Sequence, residues 1–253
     1  MSGILDGKQI VVMGVANHRS IAWGCADAMM KQGAKIIYTY RNARSKKHLA
    51  RLVGDDQPMI QCDVSDDQNI KQAFSQIGQK YGKIDGVIHA IAYADRKTLT
   101  SKVLDVKRPG YNLAQDISAY SFIAVAHYAK PIMNPRGSVL AMTYMGATRA
   151  IPNYNMMGVA KAALEASVRY LARDLGPSHI RANAISAGAV KTLSVTGISH
   201  HRNLLKESQA RTVDGQSVTI SEIGNTAAFL MSDLSTGLTG DVLFVDKGVH
   251  LLT

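Results

Sequence analysis

The strongest constraint on the fold of this chain is a regular alternation between short apolar segments and longer segments with helical periodicity. Short apolar runs that are followed by glycine or polar residues predict buried strands. Seven such strands are predicted, over residues 8–14, 34–40, 58–62, 84–92, 137–143, 180–186 and 242–245. Apolar residues at helical spacing predict helices over residues 20–33, 44–53, 66–81, 109–129, 153–175 and 219–232. This alternation predicts an α/β fold, a Rossmann-type doubly wound domain whose seven-stranded parallel sheet has helices on both faces.

Length and composition favour one domain over residues 1–253. The chain has 253 residues, 46% of them apolar, and no linker or repeat divides it. No uncharged segment is long enough to span a bilayer, and the first residues show no export signal. Cys25 and Cys62 lie in apolar patterns, which predicts core thiols rather than a disulfide. We therefore expect a cytoplasmic protein that does not bind membranes.

The formal net charge of +10 favours an anionic partner. Proteins that bind single-stranded nucleic acid usually place aromatic residues among their cations, and this chain has only one Trp and four Phe. A phosphorylated cofactor or an acidic protein explains the charge as well, and we expect no nucleic-acid partner.

Residues at the ends of the first three predicted strands suggest a dinucleotide site. Gly14 permits a sharp turn before a helix that begins near Ser20, and helix amides at such a turn bind phosphate. The spacing from Gly14 to Gly24 is longer than in the usual dinucleotide fingerprint, and a plain strand–helix turn would look similar. After the third strand, Asp63 offers a carboxylate to an adenine amine, although an N-cap role for a nearby Asp or Ser is also open.

Four cations follow the second predicted strand, namely Arg41, Arg44, Lys46 and Lys47, and no acidic residue lies between 34 and 53. An acidic residue there would favour the 2′-hydroxyl of NAD, whereas arginine accommodates a 2′-phosphate. Cations at the start of a helix oppose its dipole, so a solvated helix start is the weaker alternative. The segment therefore predicts NADPH as cofactor, with NADH as the weaker one.

The most informative pair is Tyr154 and Lys161, which lie seven residues apart on one predicted helix. Two helical turns place both side chains on one face. A phenol beside an ammonium group is a workable proton donor for an oxyanion, and we expect the cation to lower the pKa of the phenol. An isolated Tyr/Lys pair is more often a surface contact, so the surrounding sequence must decide whether this pair is functional.

That context resembles one family. The stretch 149–165, RAIPNYNMMGVAKAALE, and the Tyr-x6-Lys spacing with the upstream Tyr144 are similar to bacterial enoyl-[acyl-carrier-protein] reductases of the short-chain dehydrogenase/reductase superfamily. Ordinary members of that superfamily carry Tyr-x-x-x-Lys, but here Met157 stands four residues before Lys161. The resemblance covers residues 3 to about 249. It implies reduction of trans-2-enoyl thioesters on acyl carrier protein in fatty acid synthesis, and a homotetramer.

The resemblance also implies roles for individual residues. Tyr154 would stabilise the enolate, Lys161 would bind the nicotinamide ribose, and Tyr144 would line the thioester site. The residues that would contact the cofactor are Gly14, Ser20, Ile21, Arg41, Arg44, Ser45, Asp63, Val64, Ile91, Ala92, Lys161, Ala187, Val190 and Thr192. The residues that would contact the acyl substrate are Tyr93, Tyr144, Tyr154, Met157, Val195 and Leu204. A lid over about 189–211 would close on bound substrate, and its cations would attract the acidic carrier.

Several positions depart from the pattern of this family. Ala90 and Ala92 stand where serine and glycine are frequent, and Ala189 replaces a common proline at the start of the lid. The stretch 214–217 lacks a typical arginine pair, and Lys247 replaces a small residue. The histidines form no metal-binding pattern, so no metal is expected.

Overall fold

The computed structural model describes residues 3–190 and 208–252. These residues form one parallel sheet of seven strands in the order β3-β2-β1-β4-β5-β6-β7. The strands are β1 (Gln9–Met13), β2 (Lys35–Tyr40), β3 (Met59–Gln61), β4 (Ile84–His89), β5 (Met133–Thr143), β6 (Arg181–Ala187) and β7 (Val242–Val245). The chain reverses its direction of winding between β1 and β4, which creates a crevice at the carboxyl ends of these two strands.

Helices cover both faces of the sheet. They are α1 (Ile21–Lys31), α2 (Ala43–Val53), α3 (Asp67–Tyr81), α4 (Arg96–Thr100), α5 (Arg108–Gln115), α6 (Ser121–Ala129), α7 (Asn155–Leu175) and α8 (Ile220–Met231). Buried residues of α1, α2 and α8 pack on one face, and those of α3, α6 and α7 pack on the other. The doubly wound α/β prediction is therefore confirmed.

The predicted elements match the structure closely, with a few differences. β4 ends at His89, because residues 90–92 turn away to line a cavity. β5 begins at Met133 rather than at residue 137, with an irregular register opposite Ile84 and Gly86. The short helix α4 was not predicted, since five residues are too few to show an apolar period.

The predicted helix 109–129 contains a π-helical turn. The turn spans Asp116–Tyr120 and joins α5 to α6. Ser118, in the middle of this turn, accepts a hydrogen bond from the Tyr93 amide at 2.9 Å and donates one to the Tyr93 carbonyl at 2.9 Å. Such turns often occur at functional sites, and here the turn fixes the backbone of a residue that lines the cavity.

Both cysteines are buried and unpaired, as predicted. Burial raises the pKa of Cys25 to about 12, and burial with the nearby Asp63 carboxylate raises the pKa of Cys62 to about 12. Both thiols are therefore protonated at neutral pH and pack as small apolar groups. Within the residues that the structure describes, no helix combines the length and the apolar character needed to cross a membrane.

Two glycines allow α1 and α8 to pack closely. A Cβ atom at Gly224 would lie 2.2 Å from the backbone oxygen of Gly24, and one at Gly24 would lie 2.4 Å from the oxygen of Ile220. Both contacts would be with backbone atoms, which cannot move away as the end of a long side chain can. The separation of the two helices therefore depends on these glycines.

We expect Gly224→Ala to lower the free energy of unfolding by about 1–3 kcal/mol, because overpacking outweighs the better helix propensity of alanine. Gly237→Ala is the matched control, since a Cβ atom there meets nothing within 4 Å. Urea unfolding of both variants measures the difference. Equal stability of the two variants would contradict the close-packing argument.

Candidate active site

The candidate site is a cavity of about 440 Å³ at the carboxyl ends of the strands. This volume is typical of sites for small ligands, and its position at the switch between β1 and β4 is where doubly wound sheets bind them. The residues that line it come from both halves of the fold: Gly14, Ala16, Ser20, Ile21, Ala22, Ala90, Ile91, Ala92, Tyr93, Ala94, Leu99, Met142, Thr143, Tyr144, Ile151, Pro152, Tyr154, Met157, Lys161, Ala187, Gly188, Ala189 and Val190.

One end of the cavity is shaped by Gly14 and by the first turn of α1. Gly14 has a φ of 94°, and a Cβ atom there would lie 2.2 Å from the oxygen of Ala90, so glycine is required. Ser20 caps α1: its hydroxyl accepts a hydrogen bond from the Trp23 amide at 3.4 Å and donates one to the Asn17 oxygen at 2.7 Å. The start of α1 thus presents amides and a bare backbone to the cavity. These features fit the pyrophosphate of a dinucleotide.

The predicted cations lie outside the cavity lining, at the end of β2 and the start of α2. Arg41, Arg44 and Lys46 are exposed, and the Lys46 ammonium lies 5.6 Å from the centre of the Tyr40 ring. The first turn of α2 carries no acidic residue. Ser45 forms a capping box with Asn42, so its hydroxyl is already used to cap α2.

At the end of β3, the carboxylate of Asp63 is partly exposed. One of its oxygens accepts hydrogen bonds from the amide and the hydroxyl of Ser65, at 3.1 and 2.8 Å. Asp66 caps α3, which confirms that a neighbour of Asp63 has the N-cap role. The side chain of Val64 is buried in the core.

The aromatic wall of the cavity is formed by Tyr144 and Tyr154. Tyr144 follows β5 directly, and Tyr154 precedes the first turn of α7. Their rings meet edge to face, with centres 5.0 Å apart and planes at 70°. A Cβ atom at Gly146 would lie 2.5 Å from the Tyr154 ring, and one at Gly158 would lie 2.7 Å from the Gly146 oxygen. Two glycines therefore make room for the Tyr154 ring beside the loop after β5.

Lys161 lies two turns further along α7 and lines the same cavity. Its side chain is 6% exposed, and its ammonium group donates a 2.6 Å hydrogen bond to the oxygen of Met142. Burial lowers the pKa of Lys161 to about 8, an effect that the nearby Glu165 carboxylate partly opposes. The ammonium group is thus held against the backbone of β5, and its pKa lies close to neutral pH.

One expectation from the sequence is wrong. Lys161 was expected to lower the pKa of the Tyr154 phenol, but burial raises this pKa above its usual value, and Tyr144 and Glu165 raise it further. The cost of removing a phenolate from water is the largest effect, and the ammonium group is bonded to a backbone oxygen. Tyr154 therefore stays protonated at neutral pH and acts as a hydrogen-bond donor.

Comparisons with known proteins identify the family of this chain. A family model described as enoyl-(acyl carrier protein) reductase matches residues 14–250. The chain belongs to this enoyl reductase family.

Individual relatives match over almost the whole chain. An enoyl-[acyl-carrier-protein] reductase [NADH] of Enterococcus faecalis is 54% identical, with 98% of this chain and 99% of that protein covered. An enoyl-[acyl-carrier-protein] reductase [NADPH] of Staphylococcus aureus is 48% identical, with 98% of each chain covered. A crystal structure of the Bacillus cereus enoyl-acyl carrier protein reductase with NADP⁺ and an indole naphthyridinone has a TM-score of 0.96 and 46% identity, with 99% of each chain covered. Since the names of these relatives differ in cofactor, membership of the enoyl reductase family does not decide between NADH and NADPH.

Most of the predicted site residues meet in the cavity of this enoyl reductase. Those that line it are Gly14, Ser20, Ile21, Ile91, Ala92, Tyr93, Tyr144, Tyr154, Met157, Lys161, Ala187 and Val190. Those at the same edge of the sheet but outside the lining are Arg41, Arg44, Ser45, Asp63 and Val64. Thr192, Val195 and Leu204, with most of the predicted lid over 189–211, lie outside the described residues.

Two polar residues near Lys161 were missed by the sequence analysis. Glu165 lies one turn after Lys161, is buried, and accepts a 2.7 Å hydrogen bond from the Thr143 hydroxyl. Its position four residues after Lys161 is the signal that could have revealed it. His89, at the end of β4, is fully buried and forms a 2.8 Å hydrogen bond with Ser121.

Of these two neighbours, Glu165 raises the pKa of Lys161, whereas His89 is itself affected by the Lys161 cation. Burial, together with the nearby Lys161 cation, lowers the pKa of His89 to about 3, so His89 is neutral. Glu165 supplies the opposing negative charge, although burial raises its pKa above the usual value while Thr143, Arg169 and Lys161 lower it. Among the three neighbouring side chains Lys161, Glu165 and His89, Lys161 is thus the one that carries a positive charge at neutral pH.

Two departures from the family pattern are linked in space. Lys247 has a left-handed φ of 54°, a conformation that a glycine would adopt without strain. Its ammonium group pairs with Asp214 at 3.0 Å and with Glu222 at 3.2 Å. Lys247 and Asp214, at two positions that the sequence analysis expects to depart from the family pattern, are therefore partners in one ion pair. Among the described residues, no group of three or more His, Cys, Asp or Glu side chains is placed to bind a metal ion.

Proposed function

We propose that this chain reduces trans-2-enoyl thioesters carried on acyl carrier protein to saturated acyl thioesters, with NADPH as the preferred reductant and NADH as the weaker one. This is the last reductive step of the fatty acid elongation cycle. The observation that supports it best is the shared cavity: Tyr154, Tyr144 and Lys161 line one part of it, and Gly14 and the start of α1 line another.

The protonated phenol of Tyr154 is the main catalytic group in this proposal. A bound nicotinamide would supply a hydride to the β-carbon of the substrate, and a proton from solvent would complete the saturated thioester at the α-carbon. Negative charge then develops on the thioester oxygen, and Tyr154 stabilises it by donating a hydrogen bond in a cavity with few polar groups. Tyr144 packs against the Tyr154 ring and holds it in place. Burial raises the pKa of Tyr144 as well, so it is also an available donor.

Lys161 and the first βα turn hold the cofactor in the proposed complex. The Lys161 ammonium group binds the hydroxyls of the nicotinamide ribose while it stays bonded to Met142. The amides at the start of α1 and the Ser20 hydroxyl bind the pyrophosphate. Ile91, Ala92, Ala187, Val190 and Thr192 contact the nicotinamide half, whereas Asp63 and Val64 flank the adenine. Arg41, Arg44 and Ser45 surround the 2′-phosphate.

The acyl chain occupies the apolar part of the cavity, next to Tyr93 and Met157. The predicted contacts of the acyl chain also include Val195 and Leu204, which lie outside the described residues. The proposal places this machinery on one domain of a homotetramer in the cytoplasm.

The direct test is to mix the protein with NADPH or NADH and a short trans-2-enoyl thioester, and to follow the absorbance of the reduced cofactor. We expect rapid oxidation that depends on the thioester and is faster with NADPH. A β-ketoacyl thioester is the control substrate, because Met157 stands where ketone reductases of this superfamily carry their tyrosine. Reduction of the control but not of the enoyl thioester would contradict the proposal.

A pH titration tests the proposed role of Lys161. Since burial lowers its pKa to about 8, the ammonium form is complete well below pH 8 and is lost as the pH rises through 8. If only the ammonium form binds the ribose, the dissociation constant of NADPH should rise about tenfold from pH 7 to pH 9. Fluorescence titration of the free enzyme measures this constant.

Lys161→Arg is the control for this titration, because a guanidinium group stays charged throughout the range. We expect weaker binding by this variant but no dependence on pH between 7 and 9. A flat profile for the wild type would contradict the assignment of the cofactor contact to Lys161.

A further inference from the structure

A strongly basic segment lies at the mouth of the cavity. We call residues 96–108 the rim segment; it contains α4 and the chain that leads into α5. Leu99 lines the cavity, and Leu99 and Val106 pack against a small cluster that includes Met156 and Met157. The Asn155 side chain donates a 2.6 Å hydrogen bond to the oxygen of Ser101. These contacts fix the rim segment to the first turn of α7, next to Tyr154.

The cations of the rim segment point to an acidic partner. Its sequence carries five cations, Arg96, Lys97, Lys102, Lys107 and Arg108, and one carboxylate, Asp105. All five cations are exposed. Within residues 3–190 and 208–252, no carboxylate forms an ion pair with Lys97, Lys102, Lys107 or Arg108. The rim segment thus concentrates uncompensated positive charge beside the opening through which a substrate must pass.

Apolar side chains lie among these cations. Leu104 is 93% exposed and Val103 is 51% exposed, and both lie between Lys102 and Lys107. Two adjacent exposed apolar side chains flanked in sequence by cations have the composition of a small protein interface, which combines an apolar centre with a polar edge. Charge alone would attract any anion, whereas Val103 and Leu104 favour a partner that has an apolar surface of its own.

Other occupants fit the rim segment less well. A second copy of this chain would bring the same positive charge to the contact, and like charges oppose association. Single-stranded nucleic acid binds through aromatic stacking as well as charge, and residues 96–108 contain no aromatic side chain. An acidic protein remains, and it must deliver its cargo to the cavity next to the rim segment.

We propose that the rim segment is a docking surface for the acyl carrier protein, in which Lys97, Lys102 and Lys107 pair with carboxylates of the carrier and Leu104 contacts an apolar patch between them. This proposal rests on the proposed function, and it adds a surface built from residues other than those of the predicted lid. A carrier that docks here places its thioester arm at the opening beside Leu99 and Tyr93. The surface therefore selects the carrier and leaves the reaction at Tyr154 unchanged.

Charge reversal tests the docking surface. The test variant is Lys97→Glu with Lys102→Glu and Lys107→Glu. The control variant is Lys35→Glu with Lys80→Glu and Lys130→Glu, three exposed lysines at or near the opposite, amino-terminal ends of the strands. Both variants change the net charge equally, so any effect of overall charge is matched. Each is assayed with an enoyl group on acyl carrier protein and with the same group on N-acetylcysteamine, a small uncharged thiol.

The two substrates separate docking from catalysis. For the test variant, we expect kcat/KM to fall about tenfold or more with the carrier-linked substrate and less than twofold with the N-acetylcysteamine thioester. The control variant should retain most of its activity with both substrates. Leu104→Ser should also weaken use of the carrier alone, without any change in charge.

Three results would overturn the docking surface: an equal loss with both substrates, an equal loss in the control variant, or an unchanged rate of the test variant with the carrier. If the wild type reduced neither the carrier-linked substrate nor the N-acetylcysteamine thioester, the proposed function itself would be contradicted.

Discussion

Replacement of Tyr154 by phenylalanine is expected to lower kcat for enoyl-thioester reduction by about 10²-fold or more. The substitution removes the hydroxyl that donates to the developing oxyanion, and it keeps the ring that packs against Tyr144 and fills the space above Gly146. Stability should hardly change, since the lost group is one hydroxyl at the cavity surface. Stopped-flow or steady-state assays with saturating NADPH measure the loss.

Tyr144→Phe is the matched control for this prediction. It removes an equivalent hydroxyl from the other ring of the edge-to-face pair, and we expect a smaller loss of rate. The dissociation constant of NADPH should be similar in both variants, because neither hydroxyl is assigned to the cofactor phosphates. Retention of the wild-type rate by Tyr154→Phe, with a large loss in Tyr144→Phe, would transfer the donor role to Tyr144.

The behaviour of Tyr154 also shows where inference from the sequence ends. The spacing to Lys161 correctly placed both residues at one cavity, because the helix period alone sets which side chains share a face. The sign of the pKa shift depends instead on burial and on the direction of the ammonium group, which points to the oxygen of Met142. Burial and the direction of the ammonium group depend on residues distant in sequence, and a local sequence pattern does not predict them.

The same distinction, between local patterns and contacts of residues distant in sequence, explains the elements and contacts that the sequence did not reveal. Six helices and seven strands follow from periodicity and from caps such as the box formed by Thr219 and Glu222. The π-helical turn at Asp116–Tyr120 lies within one continuous predicted helix, because five residues are too few for periodicity to distinguish a π-helical turn from an α-helical one. The ion pair between Asp214 and Lys247 joins two positions that look unrelated until the chain folds.

The second large effect concerns the choice of cofactor. We expect the wild type to prefer NADPH over NADH by about ten- to a thousandfold in kcat/KM, since each charge-assisted hydrogen bond to the 2′-phosphate contributes about 1.5–3 kcal/mol at best, and less where solvent screens it. Arg41 and Arg44 lie at the carboxyl end of β2, and the first turn of α2 offers no acidic side chain to the ribose. Family membership does not settle this preference, because relatives of similar identity are named for either cofactor.

The variant Arg41→Ala with Arg44→Ala should lose most of this preference, chiefly through a higher KM for NADPH, while the kinetics with NADH stay nearly constant. In the proposed complex, only NADPH offers a phosphate to the two guanidinium groups, whereas both cofactors share the proposed contacts at Gly14, Ser20 and Lys161. Arg51→Ala with Arg173→Ala, two exposed arginines near the C-terminal ends of their helices, removes the same charge elsewhere and should leave the preference intact. If the wild type instead favoured NADH, the cations that follow β2 would be no more than a solvated helix start.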